Sequence, residues 1–102
     1  MLSTIPVLLE RAKKKDLDKE ILRRAVVAEL DAINLYEQMA NMRENRDLKR
    51  LLLDVALEEK THVGEFQALL LMEDQEQSKE LEEGRKEVHE LIGPKKRKGT
   101  SK

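Results

Sequence analysis

Two stretches of this sequence repeat apolar residues at alternating intervals of four and three, and this pattern constrains the fold more than any other feature. The first stretch runs from about residue 16 to 43, and the second from about 48 to 72. The spacing places side chains on one face of an α-helix and is typical of the seam between packed helices. The repeated positions are Leu22, Val26, Glu29, Ile33, Tyr36 and Ala40 in the first stretch, and Leu48, Leu52, Val55, Glu59, His62, Phe66 and Leu69 in the second.

A short polar segment, residues 44–47, separates the two stretches. Within it, Asn45 or Asp47 can cap the N-terminus of the second helix. Because the connection is short, we expect the two helices to form an antiparallel hairpin. Gly64 lies inside the second helix, where it costs roughly 1 kcal/mol relative to alanine. We expect this glycine to allow another backbone to come close.

A third, shorter helix is expected from about residue 77 to 91, after a segment at 73–77 in which the pattern loosens. A Gly-Pro pair at 93–94 ends it. No stretch alternates in the way that a β-strand requires, so the predicted class is all-α. The predicted organisation is an N-terminal arm at 1–15, a helical hairpin with a short third helix at 16–92, and a basic flexible tail at 93–102.

Composition narrows the classes of function. Twenty basic and 21 acidic side chains leave a formal charge of −1, which argues against a nucleic-acid binder. The chain has no cysteine, so any metal must be held by oxygen and nitrogen ligands. No apolar run approaches the roughly 18 residues of a membrane span, and the first charges follow the first apolar stretch, the wrong order for a signal peptide. We therefore expect a cytoplasmic protein without nucleic-acid or membrane partners.

Both seams are interrupted by polar residues at their centres, Glu29 in the first helix and Glu59 with His62 in the second. A carboxylate at an interior seam position is costly unless it is paired or bound to a metal. Counted from Asn45, Glu29 lies sixteen residues before the turn, and Glu59 and His62 lie fourteen and seventeen after it. In an antiparallel hairpin these positions fall at the same depth, within about one helical turn. Two carboxylates and an imidazole in one layer predict a shared cation.

Each of these residues also has an ordinary interpretation. A glutamate three residues before a histidine arises easily by chance in a chain this rich in glutamate, and Glu29 alone would be read as a salt-bridge residue. His62 alone would be read as a hydrogen-bonded core histidine. Glu58 should face solvent, and His89 is interpreted as a surface histidine. The agreement of three residues at one depth in two apolar seams favours the metal site.

Oxygen-rich ligation with one imidazole suits iron or manganese better than structural zinc. Di-iron carboxylate proteins with a four-helix bundle take one glutamate from each of two helices and Glu-x-x-His from each of the other two. This chain has one of each, so two copies related by a twofold axis would complete the bundle around two metal ions. Tyr36, two turns after Glu29, could orient a ligand through its hydroxyl, or could be a buried tyrosine whose hydroxyl is satisfied elsewhere.

The segments "AELDAINLYEQMA" and "LLLDVALEEKTHVGEFQALL" resemble the encapsulated ferritins, short ferritin-like proteins carried inside encapsulin nanocompartments. The resemblance covers roughly residues 22–71. It implies that Glu29, Glu59 and His62 are the ligands of a ferroxidase site between two subunits, with Tyr36 as the nearby tyrosine. It further implies that Fe(II) is oxidised for storage by the encapsulin shell, and that the homodimers assemble into a ring, expected to be a decamer.

The sequence departs from the family pattern just before the first ligand, where relatives often carry an acidic residue and this chain has Ala28. Asp31, two residues after that ligand, is kept, and any surface site through which metal enters would rest on it. Some archaeal relatives have this domain fused to the shell protein, and the residues do not separate that case from a free cargo protein. Two other functions stay open: a helical interaction module in which a metal ion only staples the dimer, and a plain hairpin without metal.

Overall fold

Three consecutive helices form the computed structural model, in which residues 14–93 are described. They are α1 (Lys14–Asn41), α2 (Arg46–Glu73) and α3 (Gln75–Ile92). No strand occurs among the described residues, and the predicted all-α class is confirmed. Helix α1 already includes the last two residues of the predicted arm. The rest of that arm, and the predicted tail after Gly93, lie outside the described residues.

Helices α1 and α2 pack against each other as an antiparallel hairpin, and Asn45 determines where α2 begins. The backbone of Asn45 is extended, and its side-chain oxygen accepts a hydrogen bond from the Leu48 N–H at 2.9 Å. This contact satisfies one of the backbone donors that the first helical turn leaves without a partner. Of the two predicted caps, Asn45 is therefore the one used, and α2 starts at Arg46, two residues before the predicted start.

The core of the hairpin is small and lies between α1 and α2. Its buried apolar residues are Leu22, Ile33 and Ala40 of α1 and Ala56 and Leu70 of α2. The α1 residues are predicted seam positions. Each α2 residue instead follows a predicted seam position by one, a rotation of about 100° around the helix axis. Only one edge of the predicted α2 seam therefore packs against α1, and the other edge faces outward.

Gly64 is not explained by a close backbone contact within the chain. A β-carbon added at this position would meet no atom within 4 Å. No other backbone within residues 14–93 approaches Gly64, and approach by the backbone of a second copy stays a prediction.

A single residue, Asp74, separates α2 from α3. Its N–H donates to the Leu70 carbonyl at 2.8 Å and closes α2, while one carboxylate oxygen accepts from the Gln77 N–H at 3.0 Å and caps α3. The other oxygen accepts from the Arg23 guanidinium of α1 at 2.8 Å. The prediction that the helical pattern loosens over residues 73–77 is therefore wrong. One capping residue ends α2 and starts α3. Helix α3 extends from this junction without a buried residue.

Candidate metal centre

Three side chains meet midway along the hairpin: Glu29 from α1, and Glu59 and His62 from α2. One ligand atom from each lies within 4.8 Å of the other two. His62 Nδ1 is 2.7 Å from Glu59 Oε1 and 3.6 Å from Glu29 Oε1. Residues three apart on a helix are neighbours on its surface, so Glu59 and His62 share one face, and Glu29 reaches them from the facing helix. The three residues that the depth count places in one layer are thus in contact.

The cluster lies at the border between the packed interior and an open face of the hairpin. The side chains of Glu29 and Glu59 are 19% and 17% exposed, whereas the side chain of His62 is 45% exposed. The carboxylates are thus largely withdrawn from solvent, and the imidazole forms the outward side. An ion held by these groups would be bound by the chain on one side and open on the other.

The two carboxylates and the imidazole perturb one another. A hydrogen bond shared with Glu59 raises the pKa of Glu29, and partial burial raises it further. The same hydrogen bond lowers the pKa of Glu59, and contact with His62 lowers it as well. The hydrogen bond to Glu59 raises the pKa of His62. The three groups therefore titrate as one linked cluster and not independently.

This arrangement fits a metal ion. A cation replaces protons when it binds carboxylates and imidazole, because these ligands must be deprotonated to coordinate it. Two carboxylates with one imidazole form a hard, oxygen-rich donor set that suits iron. Three ligands from one chain leave further coordination positions to be filled from the open side.

The other residues singled out in the sequence stand apart from this cluster. Tyr36 is half-buried two turns after Glu29, and no hydrogen bond joins its hydroxyl to the three cluster side chains. Asp31 is exposed and lies outside the cluster. Glu58 and His89 are exposed, as expected for surface residues. A role for Tyr36 in orienting a ligand, and for Asp31 where metal enters, stays a prediction.

Apolar grooves lie near both ends of the hairpin. The sequence pattern predicts apolar residues there, but it does not show that they stay accessible to solvent. One groove of about 310 Å³ is lined by Ile21, Leu22 and Leu69 together with two acidic residues. The other, of about 300 Å³, lies near the turn and is lined by Met39, Met42, Arg43, Leu48 and Leu52. Leu48 and Leu69 belong to the same predicted seam as Glu59 and His62. An open apolar surface therefore extends along this seam on both sides of the cluster.

Comparisons with known proteins agree with this architecture. The Rubrerythrin family matches residues 20–99. The crystal structure of an encapsulated ferritin domain from Pyrococcus furiosus aligns with a TM-score of 0.80 and 55% identity, over 94% of this chain and all of that one. A ferritin-like-encapsulin shell fusion protein from the same organism is 58% identical over 96 residues. That match takes in 91% of this chain, but the chain spans only 28% of the fusion protein's length.

An all-α hairpin with two carboxylates and an imidazole in its seam is the architecture of a ferritin-like protein. The chain belongs to the rubrerythrin family, among the encapsulated ferritin domains. Members of the family typically bind iron, in agreement with the donor set of the cluster. No helix within residues 14–93 combines the length and apolar character needed to cross a membrane.

Proposed function

We propose that this protein oxidises Fe(II) to Fe(III) at a di-iron site formed between two copies of the chain. Each copy contributes Glu29, Glu59 and His62. The observation that carries this proposal is that these three groups converge on an open face of the hairpin, with their ligand atoms within 4.8 Å of one another. One chain thus supplies half of the ligand set that four-helix di-iron proteins use.

The surface around the cluster supports a second copy as the other half. Ile21 and Leu69 near one end are 46% and 47% exposed, and Leu48 near the turn is 38% exposed. These side chains and the two grooves form an apolar surface, and not a set of isolated exposed residues. A contiguous apolar surface of this kind is typical of a protein interface. A twofold axis through the cluster would place the same surface of the partner against it and bring a second ligand set to the open side.

The residues have distinct tasks in this proposal. The Glu29 and Glu59 carboxylates bind Fe(II) as substrate and compensate its charge, and they bind Fe(III) more strongly because its charge is higher. His62 supplies a neutral nitrogen ligand once its proton has left. Iron itself supplies the redox chemistry, in which each Fe(II) gives one electron to dioxygen. The two copies together hold two such ions near each other, so that two electrons are available at one place.

The relatives support a proposal for the setting of the reaction. The fusion protein from Pyrococcus furiosus joins a ferritin-like part to an encapsulin shell, and the solved relative is an encapsulated ferritin domain. We propose that this chain works inside an encapsulin nanocompartment, either as cargo or as part of a longer chain, and that the shell stores the oxidised iron. Pairs of chains would assemble there into a larger ring.

Aerobic Fe(II) oxidation, followed by the absorbance of the ferric product, tests the activity. We expect the wild-type protein to oxidise Fe(II) faster than buffer alone and Glu59→Ala to fall to the buffer rate. Glu58→Ala is the matched control, because Glu58 is the adjacent glutamate but is exposed and outside the cluster. Wild-type oxidation at the buffer rate would refute the proposal. Iron that raises the melting temperature without oxidation would instead support a metal-stapled dimer.

A further inference from the structure

Helix α3 is attached to the hairpin at its first residue and has little other contact with it. None of its residues is buried, and its apolar side chains Leu81, Val88 and Leu91 are 43%, 55% and 86% exposed. A helix that packs along a neighbour buries the apolar stripe that faces this neighbour. Packing therefore does little to fix the direction of α3 relative to α1 and α2.

The backbone connection by itself allows α3 many directions. Asp74 is the single residue between α2 and α3. Because peptide bonds are planar, the angle between the two helices depends mainly on the φ and ψ of this residue, which are −136° and 86°. Extended backbone is tolerated over about 100° of φ. A rotation of about 20° would move the far end of α3, about 27 Å away, by roughly 9 Å. One backbone residue is therefore a weak constraint on the direction of the helix.

The Asp74 carboxylate joins α3 to α1 through its two oxygens. Oδ1 accepts a hydrogen bond from the Gln77 N–H in the first turn of α3, at 3.0 Å. Oδ2 accepts from the Arg23 guanidinium on α1, at 2.8 Å. The first contact fixes the carboxylate relative to α3, and the second fixes it relative to α1. Together they restrict the rotation that the backbone of Asp74 leaves open.

The salt bridge between Arg23 and Asp74 is partly shielded from water. The Asp74 side chain is 10% exposed and the Arg23 side chain is 51% exposed. Fully exposed ion pairs contribute little because water and salt screen them, whereas a buried carboxylate that loses its partner is costly. The Gln77 N–H first, and then Arg23 and Lys19 of α1, lower the pKa of this carboxyl. The carboxylate therefore stays ionised at neutral pH and keeps its attraction to α1.

No other ion pair within residues 14–93 joins α3 to the hairpin. Arg85 pairs with Glu82 at 2.7 Å. Lys86 pairs with Glu83 at 3.7 Å. Both pairs lie inside α3, so they contribute to the helix itself without orienting it. The direction of α3 therefore depends on the contacts of Asp74.

We propose that Arg23 is the positioning residue of α3: by pairing with Asp74 it holds the helix in one direction, and α3 moves about Asp74 when the pair is broken. Leu81, Val88 and Leu91 lie on one side of α3, so a fixed helix presents them in one direction. Order that exists before a partner binds removes part of the entropic cost of binding. The salt bridge involves no residue of the metal cluster, so it can be tested on metal-free protein, independently of the proposed ferroxidase activity.

Distances between two spin labels, measured by double electron–electron resonance, test this positioning. The chain has no cysteine, so labels at Glu58→Cys on α2 and Glu90→Cys on α3 are specific, and both sites are exposed. Labelled full-length chain is mixed with about a tenfold excess of the same unlabelled chain in chelator, so that distances within one chain dominate. We expect a narrow distance distribution with Arg23 in place, and a distribution at least twice as wide in Arg23→Gln.

Two further variants separate loss of the salt bridge from other effects. Arg23→Lys keeps the positive charge, and its distribution should stay within about 1.5-fold of the wild-type width. Asp74→Asn should widen the distribution as Arg23→Gln does, because its one oxygen caps α3 and Arg23 loses its acceptor. Far-UV circular dichroism should be the same in all of these proteins, because glutamine and lysine favour helix about as well as arginine and asparagine still caps α3.

Arg24→Gln is the matched control, because Arg24 is the adjacent arginine but does not pair with Asp74. Arg85→Gln is a second control, because it breaks an ion pair of similar length inside α3. Both controls should keep the wild-type distribution. A distribution in Arg23→Gln as narrow as that of the wild type would overturn the proposal, and so would equal widening in Arg24→Gln.

Discussion

Glu59 is the side chain of the candidate metal cluster that lies in contact with His62 and faces Glu29. It contacts His62 at 2.7 Å, and its ligand atom lies within 4.8 Å of that of Glu29 across the hairpin. These contacts lower the pKa of Glu59, whereas those of its two neighbours are raised. The acidities of the three groups are thus linked, and a cation that binds them must displace any proton that they carry.

Replacing the His62 imidazole distinguishes iron bound at the cluster from iron bound unspecifically by acidic surface residues. His62→Ala should weaken iron binding by at least tenfold, because the variant loses the nitrogen ligand of the cluster. No exposed carboxylate can take its position with the same geometry. His89→Ala is the control, since His89 is exposed on α3 and outside the cluster. Anaerobic Fe(II) titration measures both variants. Equal loss of affinity in the two would show that binding is unspecific.

At the residue scale, helix geometry explains what the sequence could predict. Glu29, Glu59 and His62 were found by counting from Asn45, because the rise of an α-helix is nearly constant and the turn is short. The exposure of His62 could not be predicted, since periodicity does not show which edge of a wide seam packs within the chain. Tyr36 shares the stripe of Glu29, but a stripe does not determine where a hydroxyl points.

At the scale of elements, the start of α2 depends on the Asn45 cap. Asn45→Ala should lower the free energy of unfolding by about 1 kcal/mol, because the Leu48 N–H loses its acceptor. Asn45→Asp should change it little, since aspartate caps equally well. Urea denaturation in chelator measures both. If the alanine variant were as stable as the aspartate variant, the cap would not contribute.

The Asp74 junction predicts a specific response to acid. The hydrogen bond from the Gln77 N–H, and then the contact with Arg23, hold the pKa of this carboxyl below its usual value of 3.8. A depressed pKa in the folded state adds stability above the unfolded pKa, and this contribution is lost as the pH falls. Asp74→Asn keeps a capping side chain but cannot titrate.

We therefore expect the melting temperature of the wild-type protein to fall more steeply than that of Asp74→Asn below about pH 4, near the pKa of an unfolded aspartate. Circular dichroism in chelator at a series of pH values measures the difference. Parallel pH profiles for the two proteins would contradict a role for the Asp74 charge in holding α1, α2 and α3 together.

The junction also shows where prediction of elements failed. The long helices and the hairpin could be predicted because their apolar spacing persists over many turns. The polar segment around Asp74 interrupts this spacing, so the pattern alone predicts a loosened connection there. The local signal was present, since Asp74 precedes Gln77 by three residues, as the first residue of a capping box does. The Arg23 contact could not be foreseen, because it joins residues 51 positions apart.

On the scale of the whole molecule, the chain has a small core and large open apolar surfaces. Five apolar residues are buried within residues 14–93, whereas both hairpin grooves stay open and Leu81, Val88 and Leu91 of α3 are exposed. A domain of this size with so few buried residues has little stability of its own. Partner chains and bound metal should therefore supply a substantial part of it, because ligands of the folded state stabilise by mass action.

The melting temperature should accordingly rise with protein concentration, and rise again with anaerobic Fe(II). Chelator should remove only the second increase, because it removes Fe(II) and leaves the apolar surfaces unchanged. Differential scanning calorimetry over a hundredfold range of concentration measures both effects. A melting temperature independent of both concentration and iron would indicate a self-sufficient monomer and contradict this view of the molecule.

The central claim is that the iron site is complete only between two copies of the chain. Native mass spectrometry of anaerobic protein titrated with Fe(II) tests it directly, because chains and ions are counted in the same species. We predict that iron appears only in species with an even number of chains, at two ions per pair. Monomers that carry iron with the same affinity as the pairs, or pairs that take up no iron, would contradict the claim.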